Sequence, residues 1–171
     1  MKKLFFYSLL VVSAFTSCKK DDPEPSANVE GKWNLSTSDI AINSIVGPDE
    51  ETIDFQNQGV YLDLKSGNKF SANMLLTKDF NNIIKAGDMY ESDYEMKGNE
   101  LTLKIYDADY KSFIPIKLKV ETSTGSQLVL KATKSDLAET VKTYDELEGN
   151  NNLSQMFAVV SSLDVVLTFS K

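Results

Sequence analysis

From Val29 to the C-terminus, apolar side chains recur at every second position in short runs broken by turn residues. That period of two is the signature of strands with one dry and one wet face, and it leaves little room for helices. Val29, Gly31, Trp33 and Leu35 alternate with Glu30, Lys32, Asn34 and Ser36. Thr52 to Phe55 is a short strand candidate, and Val60, Leu62 and Leu64 resume the pattern. Ser66-Gly67-Asn68 then supplies turn chemistry ahead of Phe70, Ala72 and Met74. Tyr90, Ser92, Tyr94 and Met96 share a face, and Gly98-Asn99 turns the chain into Leu101, Leu103 and Ile105. Ile114, Ile116, Leu118 and Val120 follow, then Leu128, Leu130 and Ala132, and finally Leu163, Val165, Leu167 and Phe169. Pro115 removes a ladder donor, so its strand should be bulged or at an edge there. Ser135-Asp136 reads as a helix N-cap before Leu137, Val141, Tyr144 and Leu147, with Gly149 as the stop. Leu153, Met156, Phe157 and Val160 also keep helical spacing, with a strand over Met156 to Val160 as the alternative, and Lys78 to Lys85 reads as a short helix. The pattern predicts an all-β fold, an antiparallel eight- to nine-stranded barrel with one or two short helices inserted before the last strand.

The first residues follow a different logic. Met1-Lys2-Lys3 is a short positive segment, and Leu4 to Phe15 is an uncharged apolar run of twelve residues. Such a run is too short to cross a bilayer about 30 Å thick as a helix, so residues 1–17 read as a cleaved signal peptide. Phe15-Thr16-Ser17-Cys18 resembles a bacterial lipobox, in which the cysteine becomes the lipid-bearing N-terminus. That resemblance implies lipidation of Cys18, with acyl chains such as palmitate, and a lipid-anchored place at the outer membrane. Residues 18–28, charged and interrupted by Pro23 and Pro25, read as a flexible tether, leaving 29–171 as the barrel domain. The acidic residues behind Cys18 resemble the surface-export signal of one group of Gram-negative bacteria, which implies exposure at the cell surface; a plain solvated linker is the alternative.

Composition then narrows the chemistry. The chain has no histidine, one cysteine and 18 basic residues, all of them lysine. His-dependent nucleophilic catalysis and His- or Cys-rich metal sites lack their residues, so no metal and no cofactor is expected. Removal of the leader leaves 16 lysines against 25 acidic residues, which together with the absent arginine speaks against nucleic acid. Ser66-Gly67-Asn68-Lys69 matches S-x-x-K by letter, but its Gly-Asn belongs to a hairpin. Asp107 to Lys111 begins like a calcium loop without the glycine and bidentate glutamate that a loop needs. Glu91, Asp93 and Glu95 alternate with apolar residues and so point to water, and with Asp88 they make a poor acid/base set. No catalytic residue is expected, and the chain is not read as an enzyme.

Gly31-Lys32-Trp33 at the head of the first strand matches the G-x-W signature of lipocalins. Together with the lipobox and acidic tether it resembles the lipocalin-like lipoproteins of Gram-negative bacteria. In that group strand pairs like Tyr61 to Phe70 and Tyr94 to Leu103 are typical. The family's arginine, which packs on the tryptophan from the last strand, has no counterpart here; the final strand offers Lys171. The resemblance implies a barrel that binds a small apolar or amphipathic ligand. Trp33, Leu62, Phe70, Met74, Tyr90, Ser92, Tyr94, Leu103, Ile116, Leu118, Leu130, Val165 and Leu167 form the inward face that could line such a cavity. The same residues can instead fill the barrel solid, with Trp33 plugging one end. In that case Tyr61, Tyr106, Tyr110 and Phe113 offer an outer surface for a partner protein or glycan.

Overall fold

The computed structural model describes residues 27–76 and 84–171. The signal peptide predicted over 1–17, Cys18 and most of the tether predicted over 18–28 lie outside these residues, as does most of the helix predicted over 78–85; its last two positions, Ile84 and Lys85, open a strand.

Nine strands and two helices follow one another along the chain. They are β1 (Gly31–Ser44), β2 (Gly47–Asp54), β3 (Tyr61–Lys65), β4 (Lys69–Leu76), β5 (Ile84–Lys97), β6 (Glu100–Asp107), β7 (Ser112–Ser123) and β8 (Gln127–Thr133), then α1 (Ala138–Glu148), α2 (Asn152–Ala158) and β9 (Val160–Ser170). Antiparallel pairing runs β1-β3-β4-β5-β6-β7-β8-β9 and closes from β9 back to β1. The result is an eight-stranded barrel with β2 added as a ninth strand, as the alternation predicts. Pairing β9 onto β1 joins the two ends of the eight-stranded sheet that would otherwise lie open, while β2 keeps an outer edge.

The long strand β1 organises the barrel. Its first residues, Gly31 to Asn34, pair with β3, and Thr37 to Ser44 pair with β2. Its other edge pairs with β9 from Asn34 to Ser44. Between Leu35 and Thr37 the register against β9 slips by one residue, so Ser36 is the extra residue of a bulge. A one-residue slip changes which side chains face inward. Trp33 and Leu35 point into the barrel before the bulge, and Ser38 is the next buried residue after it. Extending alternation from Trp33 without the bulge would put Thr37 inside.

Pro115 sits where its missing donor costs least. β7 pairs with β8 only from Lys119 to Ser123, so the half of β7 that holds Pro115 has β6 alone as a strand neighbour. Helix α1 covers the gap, and the Thr140 hydroxyl donates to the Pro115 carbonyl at 2.7 Å. The helix begins differently from the sequence expectation. Its N-cap is Leu137, with no side-chain cap bond. Asp136 instead accepts from the Thr133 amide (2.9 Å) and hydroxyl (2.6 Å), tightening the turn that leaves β8. Gly149 ends α1 at φ 68°, a left-handed value that glycine adopts without strain. The buried Asp145 carboxylate then accepts from the amides of Leu153 (3.0 Å) and Ser154 (3.1 Å), satisfying the first turn of α2. Leu147, placed by its spacing on the apolar face of α1, is exposed.

At one end the barrel is packed solid. Trp33, Leu62, Leu64, Phe70, Leu101, Leu103, Leu128, Leu130 and Phe169 are all buried there in one continuous core. The Trp33 indole donates to the Val29 carbonyl at 2.8 Å, and the Lys171 ammonium lies 4.4 Å from its ring centroid. Lysine thus occupies the place where the resemblance leads one to look for arginine. Gly31 makes the stacking feasible: it sits at φ 131°, and a Cβ there would come within 3.2 Å of Lys171 Cε. The glycine of G-x-W is therefore favoured by its backbone conformation, and a Cβ there would also crowd the flexible end of Lys171.

Candidate functional site

Away from the Trp33 end the barrel is not filled. An apolar cavity of about 260 Å³ lies between the barrel wall and the two helices. The bulge at Ser36 supplies one wall, because it turns Ser38, Ile40 and Ile42 of β1 toward the cavity. Ile53 and Phe55 reach it from β2 and the residue beyond, and Met74, Leu76 and Ile84 from β4 and β5. Ile105, Ile116, Leu118, Ala132, Val165 and Leu167 continue the wall through β6 to β9. Leu137, Thr140, Val141 and Tyr144 beside and along α1, with Leu153 and Phe157 of α2, close it over. No lysine or carboxylate lines it. The volume exceeds an engineered cavity of about 150 Å³ that holds benzene, and approaches the lower end of ordinary ligand sites.

Of the inward residues read from sequence, Met74, Ile116, Leu118, Val165 and Leu167 line this cavity. Trp33, Leu62, Phe70, Leu103 and Leu130 lie in the solid core. The Tyr90 and Tyr94 hydroxyls donate to backbone carbonyls, Met74 at 2.7 Å and Lys65 at 3.1 Å. Tyr90 fills the seam beside β4: its ring meets buried Phe70 on one side and outward Tyr106 and Phe113 on the other. Ser92 is half-buried opposite Phe70 on the neighbouring strand and does not border the cavity. The lining residues outside that set are Ser38, Ile40 and Ile42, hidden by the bulge, then Ile53, Phe55, Leu76, Ile84, Ile105, Ala132 and Leu163 along the rest of the wall, and the helical set. Leu137, Val141, Leu153 and Phe157 show helical spacing, but spacing does not say which cavity a helix covers.

The other motifs resolve simply. Ser66 to Asn68 form the β3–β4 turn, with Gly67 and Asn68 at positive φ. Glu91, Asp93 and Glu95 are exposed, and each pairs with a lysine, Glu91 with Lys65 at 2.9 Å. Among the described residues no group of three or more Asp, Glu, Cys or His could hold a metal ion. Asp107 opens the β6–β7 turn instead. It is fully buried, and one carboxylate oxygen accepts from the amides of Asp109 (2.8 Å) and Tyr110 (2.9 Å). The other accepts from the Tyr144 hydroxyl at 2.7 Å, tying the turn to α1. Among the outward aromatics, Tyr61 lies under the Lys32 ammonium, Tyr110 bonds Glu148, and Tyr106 meets Phe113 at 5.4 Å.

Burial raises the phenol pKa of Tyr144, and the Asp107 carboxylate raises it further. Burial likewise raises Tyr90, against a smaller opposing effect of the backbone at Tyr106. Below pH about 10 a tyrosine is protonated whether folded or unfolded, so neither residue makes stability depend on pH there. Above that value the unfolded phenol ionises while the buried one holds its proton, and stability falls as pH rises. The unfolding free energy read from urea titrations should therefore fall between pH 10 and pH 12, by at most about 1.4 kcal/mol per pH unit for each of these half-buried phenols. Tyr144→Phe should flatten this decline.

The lipocalin-like domain family matches residues 29–130, from just before β1 through most of β8. No curated protein matches the chain significantly. Among solved structures, a polyisoprenoid-binding domain from Saccharophagus degradans, implicated in plant cell wall breakdown, is similar over 81% of this chain and 97% of its own. Its identity is 9% and its TM-score 0.30, too distant to inform the site. With the closed barrel, the G-x-W plug and the family match in agreement, the chain belongs to the lipocalin-like domain family.

Proposed function

We propose that the chain is a lipid-anchored binding protein of the outer membrane, facing the cell surface. In this reading it holds a small apolar or amphipathic molecule in the cavity beneath α1 and α2, and it carries out no catalysis. The observation that carries the reading is the cavity: about 260 Å³, lined by aliphatic and aromatic side chains, in a barrel whose other end is packed solid. A site that excludes charge and offers few polar atoms suits transport or storage of an apolar molecule better than chemistry upon one. Binding is tested by extracting the purified protein and analysing small molecules by mass spectrometry. A molecule present at near one per chain, and lost in Ala132→Phe, which fills the cavity from β8, is the expected result. Ala132→Phe retaining the same molecule in the same amount would overturn it. Anchoring is tested by Cys18→Ser, which should move the protein from the membrane fraction to the soluble one.

A second reading, a surface that contacts a partner protein or glycan, rests on the outward rings of Tyr106 and Phe113. Phe113→Ser would then abolish partner contact and leave any cavity ligand in place.

A further inference from the structure

We infer that Ser38 is the polar anchor of the cavity, and that the cavity takes a neutral molecule bearing a single hydroxyl or carbonyl oxygen. The inference rests on the binding reading above and adds the class of ligand. Ser38 lies on β1 between Ile53 of β2 and Leu167 of β9, both cavity residues. The residue as a whole is 2% exposed. Its hydroxyl makes no hydrogen bond among the described residues, and since no fully buried side-chain oxygen there lacks a partner, it keeps a little accessible surface where Ser38 lines the cavity. A hydroxyl on so buried a residue that lacks a protein partner is completed by whatever occupies the space beside it, a ligand or water.

The two other polar groups at the cavity are already engaged as donors. Thr140 Oγ1 donates to the Pro115 carbonyl and Tyr144 to Asp107. Ser38 is thus the one lining side chain whose hydroxyl proton and lone pairs are both free among the described residues. A hydroxyl can give or take one hydrogen bond, which suits an alcohol or a ketone equally. An anionic headgroup does not fit. No lysine lines the cavity, and two buried carboxylates, Asp107 behind Tyr144 and Asp145 behind Leu153, each stand one hydrogen bond from its lining, where negative charge repels another. Burying an unpaired carboxylate in such a site is strongly unfavourable. The volume sets the size at on the order of ten non-hydrogen atoms, since a cavity of about 150 Å³ holds the six of benzene.

The test titrates the full chain by calorimetry at pH 8 with three probes of nearly equal size: butylbenzene, 4-phenylbutan-1-ol and 4-phenylbutanoate. The alcohol should bind, and the carboxylate about a hundredfold more weakly. Ser38→Ala should weaken the alcohol about fivefold, the value of one neutral hydrogen bond, and leave butylbenzene unchanged. Ser38→Thr, which keeps the hydroxyl, should keep the preference for the alcohol. Because each variant is judged by its ratio of alcohol to hydrocarbon, a general loss of folded protein does not imitate the effect. An unchanged ratio in Ser38→Ala, or a carboxylate that binds as well as the alcohol, overturns the anchor and leaves the binding reading standing. Failure of all three probes to bind the natural chain removes both.

Discussion

Replacing Trp33 with alanine should cost about 4 kcal/mol and lower the Tm by roughly 10 °C or more, as expected for truncating a large buried aromatic in a domain of this size. Trp33 is 1% exposed and fills the closed end of the barrel, so its loss leaves a void that rigid strands on all sides cannot collapse. The change also orphans the Val29 carbonyl and the Lys171 ammonium. Against a typical stability of 5–15 kcal/mol this is a large fraction, and thermal unfolding followed by circular dichroism measures it directly. Lys171→Ala separates the parts. It removes the cation alone and should cost about 1 kcal/mol, while Lys171→Arg should cost little. A Trp33→Ala protein within 1 kcal/mol of the natural chain would mean that the plug is not what holds this end closed.

The second large effect is expected at Asp107. Asp107→Ala removes the acceptor of three hydrogen bonds at a fully buried position, stranding the Tyr144 hydroxyl and the amides of Asp109 and Tyr110. Each of these part-buried donors left without its partner costs about 1 kcal/mol, so a loss of about 3 kcal/mol is expected for the three together. Asp107→Asn should be milder, because the amide oxygen can still accept from the two backbone groups. The location of the damage is informative as well. Asp107 is the link between the β6–β7 turn and α1, and α1 in turn holds α2 through Asp145. Hydrogen exchange should therefore rise in α1 and α2 more than in the β1–β9 pairing when Tyr144→Phe cuts that link alone. Uniform acceleration across the barrel would mean that the helices do not open independently of it.

The barrel was legible in sequence because its information is local. Alternation in Leu62-Leu64, Phe70-Ala72-Met74 and Leu128-Leu130-Ala132, with turns at Gly67-Asn68 and Gly98-Asn99, predicts strands that the structure contains. Pro115 was readable as an edge residue for the same reason: its missing donor acts at its own position. The site was less legible, because it depends on two events that alternation does not encode. One is the bulge at Ser36, which changes the inward parity of β1 and turns Ser38, Ile40 and Ile42 to the cavity. The other is where α1 docks, which is decided by the gap β8 leaves beside β7 and by the Thr140 and Tyr144 hydrogen bonds. Asp107 illustrates the same limit. Its letters suggested only a charged turn, and its partner Tyr144 is 37 residues away.

The most direct test of the central claim, that the space beneath α1 and α2 is a ligand site, is methyl-resolved NMR of the protein titrated with butylbenzene. The account predicts saturable shifts confined to lining methyls such as Ile40, Ile116, Val141 and Leu153, and their disappearance in Ala132→Phe. Methyls of the solid core, such as Leu62 and Leu101, should stay fixed in both. No saturable shift at the lining methyls, or shifts that persist unchanged in Ala132→Phe, would contradict it.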